Sequence, residues 1–297
     1  MTNAMPPTSA VGKAGVQAQM SRPRRWLALL PLAAVLIGTA SHWLELFRLW
    51  NETSTLGHGW LLLGLIGYEL WQRRASIREV RLTFDGPVLL GLLTLSLAWF
   101  GTLWLEIDSL ALSFLPVLLL AAIGVATGRQ GLRTLAFPVL LLLFATPLWT
   151  YLVPVLKAGA IAVVSFLVRA VGMTALIEGE VVILPSGVLR IADSCSGVHQ
   201  FVVASLIGTV YAWWNASHYL ARARIIALAC VIAIITNWVR VFALVAIGYY
   251  SNMEHYLVRV DHYWFGWALF AIAMSVFFLI ARRFADRAAP DDDSPRE

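Results

Sequence analysis

Apolar runs dominate this chain from Trp26 to Ile280, separated by short polar segments. Many reach about 18 residues or more, the length a helix needs to cross a bilayer. The pattern predicts spans at about 26–46, 58–71, 86–105, 110–127, 134–150, 225–247 and 263–281, with one more beginning just after Cys195. Segment 153–171 is also apolar but holds Pro154, Lys157 and Arg169. It is expected to lie as a helix in the outer interface, with its charges among the headgroups. Next, 179–184 and 188–192 flank Pro185-Ser186-Gly187, where Pro at the second turn position and Gly at the fourth suit a type I turn. The predicted fold class is therefore an all-α polytopic membrane protein. It has about eight transmembrane helices, one outer-interface helix and a small extracytoplasmic β-hairpin.

Residues 22–284 form one integral membrane domain in this reading, with no internal repeat and no second soluble domain. The tails 1–21 and 285–297 are polar and are expected to be disordered and cytoplasmic. No cleavable signal peptide is expected, because the first 21 residues lack an apolar stretch and the run from Trp26 is too long to be one.

Composition agrees: hydrophobic residues make up 60% of the chain and charged ones 13%. The net charge of +5 does not point to nucleic acid, since the basic residues fall in short clusters between apolar runs and not in one stripe. Those clusters are Arg22/Arg24/Arg25, Arg73/Arg74/Arg78/Arg81, Arg129/Arg133, Arg222/Arg224 and Arg282/Arg283/Arg287. The positive-inside rule places all of them in the cytoplasm, and the Lys- and Arg-free loops at 51–57 and 106–109 outside. If 153–171 were a full span, the Arg222/Arg224 loop would fall on the wrong side. The interfacial assignment avoids this and leaves both termini inside.

Candidate chemistry stands out against this background. Cys195 lies in Asp193-Ser194-Cys195-Ser196-Gly197, at the junction of the polar hairpin and a long apolar run. Arg240 lies about 15 residues into its span, roughly 22 Å from the inner end at 1.5 Å per residue, in the outer third of the bilayer core. Asn237 is one turn deeper on the same face. His262, preceded by Asp261, stands at the outer mouth of the last span. Cys195, Arg240 and His262 thus converge on one membrane level.

Such a trio suits acyl transfer by a thiolate. A free Cys, with a pKa near 8.5, becomes an effective nucleophile when a cation or a His lowers that value. His262 is suited to activate the thiol and protonate the leaving amine, and Arg240 to stabilise the oxyanion with its fork of donors. Asp193 or Asp261 would orient a partner, with the choice between them open. Each residue also has a plainer reading. Cys residues in membranes are usually apolar packing groups, as Cys230 in Ala229-Cys230-Val231 is expected to be. A His at a span end is commonly an interfacial side chain, as for His42, His58, His218 and His255. Arg240 is costly within a span, so it is functional or it pairs with an acid such as Glu69 or Glu106. A Cys195–Cys230 disulfide is not expected, because the two lie at different depths.

Together, Ala192-Asp193-Ser194-Cys195-Ser196-Gly197, Asn237-Trp238-Val239-Arg240 and His262-Tyr263-Trp264-Phe265-Gly266 resemble the Cys, Arg and His motifs of the exosortase/archaeosortase family of membrane cysteine transpeptidases. Gly57-His58-Gly59, Arg73-Arg74, Phe137-Pro138 and the glycines from Gly179 to Gly187 extend the likeness over about 55–280. The resemblance implies Cys195 as nucleophile, Arg240 as transition-state stabiliser and His262 as acid/base, with no cofactor and no metal. It implies exported substrate proteins bearing a C-terminal sorting signal (a Pro-Glu-Pro type motif, a transmembrane helix and a basic tail), cleaved at the outer face of a bacterial inner membrane. The acyl group would pass to an acceptor that the resemblance does not name, with membrane lipid as the surrounding partner. The chain departs from the family pattern at Asp193, where Glu is frequent, and at His199 and Gln200, where an Arg is common. Two other classes compete: a non-enzymatic component of exopolysaccharide export and a transporter, although no inverted repeat or pair of broken helices favours the latter.

Overall fold

The computed structural model describes residues 22–53, 55–256 and 262–285, without the side chains of 22–25, 262 and 263. The tails 1–21 and 286–297 lie outside the described residues. The chain is mostly helical: α1 (Leu30–Gly38), α2 (Ala40–Glu52), α3 (Gly59–Gln72), α4 (Arg74–Glu79), α5 (Gly86–Trp104), α6 (Asp108–Leu140), α7 (Val153–Ala170), α8 (Val198–Asn215), α9 (Tyr219–Tyr250) and α10 (His262–Ala281).

Among the described residues, six segments are long and apolar enough to cross a membrane, or seven if the pair Trp26–Gly38 and Ala40–Glu52, bent by 54°, is one span. The expected number was about eight. Three local causes lower the count, the first being that bend, and the segment containing α7 adds one back. The segment expected at 58–71 is α3, with only 14 residues. Segment 108–145 counts once although it folds back on itself at Gly128, whose φ of 65° and ψ of −164° interrupt the helix. Gly124 meets the Leu132 side chain, and Leu112 and Leu115 share a core with Leu141 and Leu142, as two antiparallel arms require. A side chain at position 128 would be strained by the positive φ and would crowd Thr83 Oγ1 at 3.0 Å.

The second arm corrects the span expected at 134–150. Its α-helix stops at Leu140, continues as 3₁₀ turns over Leu141–Ala145 and Pro147–Leu152, and is extended at Thr146 (φ −105°, ψ 159°). Pro147 disfavours helical geometry in the residue before it. Unwinding frees carbonyls that an apolar setting cannot leave bare. Trp50 Nε1 donates to Ala145 O at 2.7 Å, His58 Nε2 to Phe144 O at 2.8 Å and Trp149 Nε1 to Leu143 O at 2.9 Å.

The helix expected to lie flat in the outer interface is α7, and it stands alongside α9 instead. Ala160, Val164 and Val168, four apart, form its buried stripe. Near its start Leu156 borders Asn237 and Trp238, and further along Val164 and Val168 share a core with Val241 and Val245. The two helices therefore run side by side in the same direction, and Pro147–Ala170 is one of the six candidate spans.

The expected hairpin is a three-stranded antiparallel sheet of order β1-β2-β3, with β1 (Leu176–Glu178), β2 (Val181–Leu184) and β3 (Gly187–Arg190). Gly179 and Glu180, expected to open a strand, form the β1–β2 turn, where Gly179 has φ 57°. A tight hairpin needs positive φ, which Gly supplies without strain. Val182, Leu184 and Ile191 pack the sheet onto Val241 and Val245 of α9.

Helices α8, α9 and α10 share a core in which Ala204, Ala212, Ala229 and Ala233 leave room for Phe270 and Phe277. Small residues let helix backbones approach, and a Cβ at Gly208 would come within 2.6 Å of Ala229 Cβ. At the end of the bundle away from the sheet, buried Glu69 accepts from Arg73 and, at 2.6 Å, from Trp214 Nε1. Trp213 stacks on Phe137 at 4.0 Å and carries Arg222 at 4.5 Å over its other ring contacts. Glu69 is thereby excluded as the counter-charge of Arg240.

Candidate active site

Cys195 closes a single 3₁₀ turn, Asp193–Cys195, between β3 and α8. Its amide donates to Ala192 O at 2.8 Å. Gly197 then caps α8 with φ 81°, and a Cβ there would lie 2.4 Å from Asn237 Cγ. Only glycine lets the start of α8 approach α9 this closely. Asn237 and Arg240, one turn apart on α9, hold the Cys turn by three consecutive carbonyls. Asn237 Nδ2 donates to Cys195 O and to Ser196 O at 3.0 Å each, and Arg240 Nη2 donates to Ser194 O at 3.2 Å. Arg240 thus reaches the backbone of the Cys turn. Among the described residues it forms no ion pair, and Glu106, the other acid considered for it, is exposed in the loop after α5.

Asp193 points to a different partner from those expected. Its carboxylate accepts from Lys157 Nζ at 2.6 Å, and the same ammonium bonds Glu180, which also takes Arg190 at 3.3 Å. The Lys157 ammonium, aided by Arg190, holds the Glu180 carboxyl below its ordinary range against a smaller opposing effect of burial. Lys157 thus ties α7, the sheet and the Cys turn together. The reading of Lys157 as a headgroup-facing charge missed this. The signal was available, because an ionisable residue within an apolar helix usually has a specific partner.

Beside this turn opens a chamber of about 950 Å³, walled by Asp193, Ser194, Gly197 and Arg240 on one side and by Glu45, Asp108 and Thr146 on the other. Thr146, at the break in the second arm, and Pro147 both line it. Cys195 itself does not line the chamber: it is half-buried and packs against the cluster of Val164, Val241 and Val245, while its neighbours Ser194 and Gly197 line the space. His199 and Gln200, noted in the sequence only as departures, also line it. His199 stacks near His58 with centroids 6.1 Å apart and meets Trp267 edge-on at 5.5 Å.

His262 begins α10, but its side chain lies outside the described residues, as does the whole of Asp261. One turn later, Gly266 lies against Arg240, where a Cβ would meet Nη1 at 3.1 Å. The start of α10 therefore reaches the same end of the bundle as Cys195 and Arg240. Cys230 is half-buried with its sulfur 3.6 Å from Ser205 Oγ, and both cysteines are free.

Fold and site together define a multi-pass helical membrane protein that presents a clamped cysteine turn beside a chamber at one end of its bundle. The chain belongs to the transmembrane exosortase family, whose profile matches residues 50–279. No curated protein and no solved structure matches it.

Proposed function

We propose that this exosortase is a cysteine transpeptidase that cleaves a C-terminal sorting signal from exported proteins at the outer face of the inner membrane. The observation that carries the reading is the double hold of Asn237 and Arg240 on the carbonyls of Ser194, Cys195 and Ser196, beside a chamber of about 950 Å³. In the first step the Cys195 sulfur attacks a substrate carbonyl, and His262 takes the thiol proton. Arg240 and the positive end of α8 stabilise the tetrahedral oxyanion. Collapse breaks the C–N bond, His262 protonates the departing amine, and a thioester remains. An acceptor nucleophile then attacks that thioester, returning the thiol and leaving the acyl group on the acceptor.

The function is tested by comparing the migration and C-terminal sequence of exported proteins with a terminal membrane anchor, in cells with and without this chain. Loss of the anchor only when the chain is present is expected. Identical C-termini in both strains would remove the transpeptidase reading in favour of glycan export or transport.

Sidedness has its own test. A membrane-impermeant thiol reagent, applied to intact cells with any outer membrane permeabilised, should label Cys195. It should spare Cys230, ten residues or about 15 Å below Arg240 along α9. Label on Cys195 that requires lysis would place the site on the cytoplasmic face.

A further inference from the structure

Two polar groups in the chamber wall are left unsatisfied, and they are opposite in kind. Gln200 is 6% exposed, and its Nε2 donates to Gly266 O at 3.2 Å. Because Gly266 O can only accept, the amide orientation is determined, and Oε1 is the atom left buried without a partner. Arg240 Nε–H is likewise buried and unpartnered, while Nη2 is engaged with Ser194 O. Gln200 Nε2 and Arg240 Nη1 both approach Gly266, at 3.3 and 3.1 Å from the position a Cβ would take there, so the two side chains are neighbours. Both residues line the chamber. A buried acceptor beside a buried donor is costly when empty. A peptide backbone, which offers a carbonyl and an N–H on adjacent units, satisfies both.

We infer that Gln200 is a substrate-binding residue: its Oε1 accepts a backbone N–H of the bound chain next to the carbonyl held by Arg240. The inference rests on the transpeptidase reading and adds to it a contact that reads the main chain, independent of side-chain identity. It also gives a role to a position where the chain departs from its family's pattern.

The test uses the detergent-solubilised full chain and a pooled library of acetyl-dipeptide aldehydes with both side chains randomised. The Cys195 thiol adds across the aldehyde, forming the C–S bond while its proton ends on the new hydroxyl, so nothing leaves. The readout is the aldehyde concentration that halves alkylation of Cys195, followed on the Cys195 peptide by mass spectrometry. A second library replaces the N–H of the aldehyde-bearing residue by an ester oxygen. In the wild type the amide library should protect at about tenfold lower concentration than the ester library, the value of one hydrogen bond. In Gln200→Met the two should protect alike.

Equal protection by both libraries in the wild type would overturn the role of Gln200 and leave the thiol chemistry standing. So would an amide preference that survives in Gln200→Met. Protection by neither library would overturn both the inference and the transpeptidase reading. The wild-type comparison decides the matter even if Gln200→Met fails to accumulate.

Discussion

Cys195→Ser is expected to insert, bind substrate and leave it uncleaved. The exchange removes little volume, so the packing of Cys195 against Val164, Val241 and Val245 should survive, and the hold by Asn237 and Arg240 acts on the backbone, which the substitution does not touch. The chemistry changes instead. A hydroxyl ionises far less readily than a thiol, so the variant is expected not to form the attacking anion. In the parent protein a thioester to the new C-terminus of the substrate should build up when acceptor is scarce, and it should be absent from the Ser variant. His262→Ala should also stop turnover, and combining it with Cys195→Ser should cost nothing further, since groups that act as one unit are not additive. The deciding measurement is the C-terminal length of the substrate in cells expressing each variant. Normal cleavage by Cys195→Ser or by Cys195→Ala would rule out the thiol mechanism.

Arg240→Lys should lose about 10²- to 10³-fold in processing rate despite keeping the positive charge, the scale seen when one oxyanion donor is removed. The guanidinium already spends Nη2 on Ser194 O and still presents other N–H groups to the chamber. A lysine ammonium is a compact charge without the planar fork, so it cannot hold the turn and the oxyanion together. Near-normal processing by the Lys variant would reduce Arg240 to a counter-charge. Reduced membrane abundance of both Arg240→Lys and Arg240→Ala would make its role one of folding. Comparing Asn237→Ala in the same assay separates the two duties of the clamp, because Asn237 holds the Cys195 and Ser196 carbonyls but, unlike Arg240, does not line the chamber.

Much of the site was legible because its signals are local. Cys195 is marked by a polar, glycine-containing setting at the head of an apolar run, and Arg240 by a charge deep in another. Helical spacing alone placed Asn237 on the face of Arg240, and the two do act on adjacent carbonyls, those of Cys195 and Ser194. The partner of Asp193 was not legible, since Lys157 is 36 residues away and belongs to another helix, whose packing against α9 the local pattern does not reveal. Gln200 was visible only as a departure from a pattern, because its importance depends on which of its two amide atoms Gly266 satisfies.

The sequence by itself determined that this chain resides in a membrane, since hydrocarbon-length apolar runs have no other economical solution, and it collected the arginines into the segments between them. It also determined the order of Cys195, Arg240 and His262 along the chain and the glycines at Gly128, Gly179 and Gly197, where the backbone takes positive φ. Tertiary structure alone decided that the helix expected to lie flat stands against α9, that the second arm of α6 unwinds before Thr146, and that Glu69 belongs to Arg73 and Trp214 instead of Arg240. The physical reason is range. Periodicity and charge describe what a segment does with its immediate neighbours and solvent, whereas an unwound turn needs partners for the carbonyls it frees, and Trp50, 95 residues from Ala145, supplies one of them.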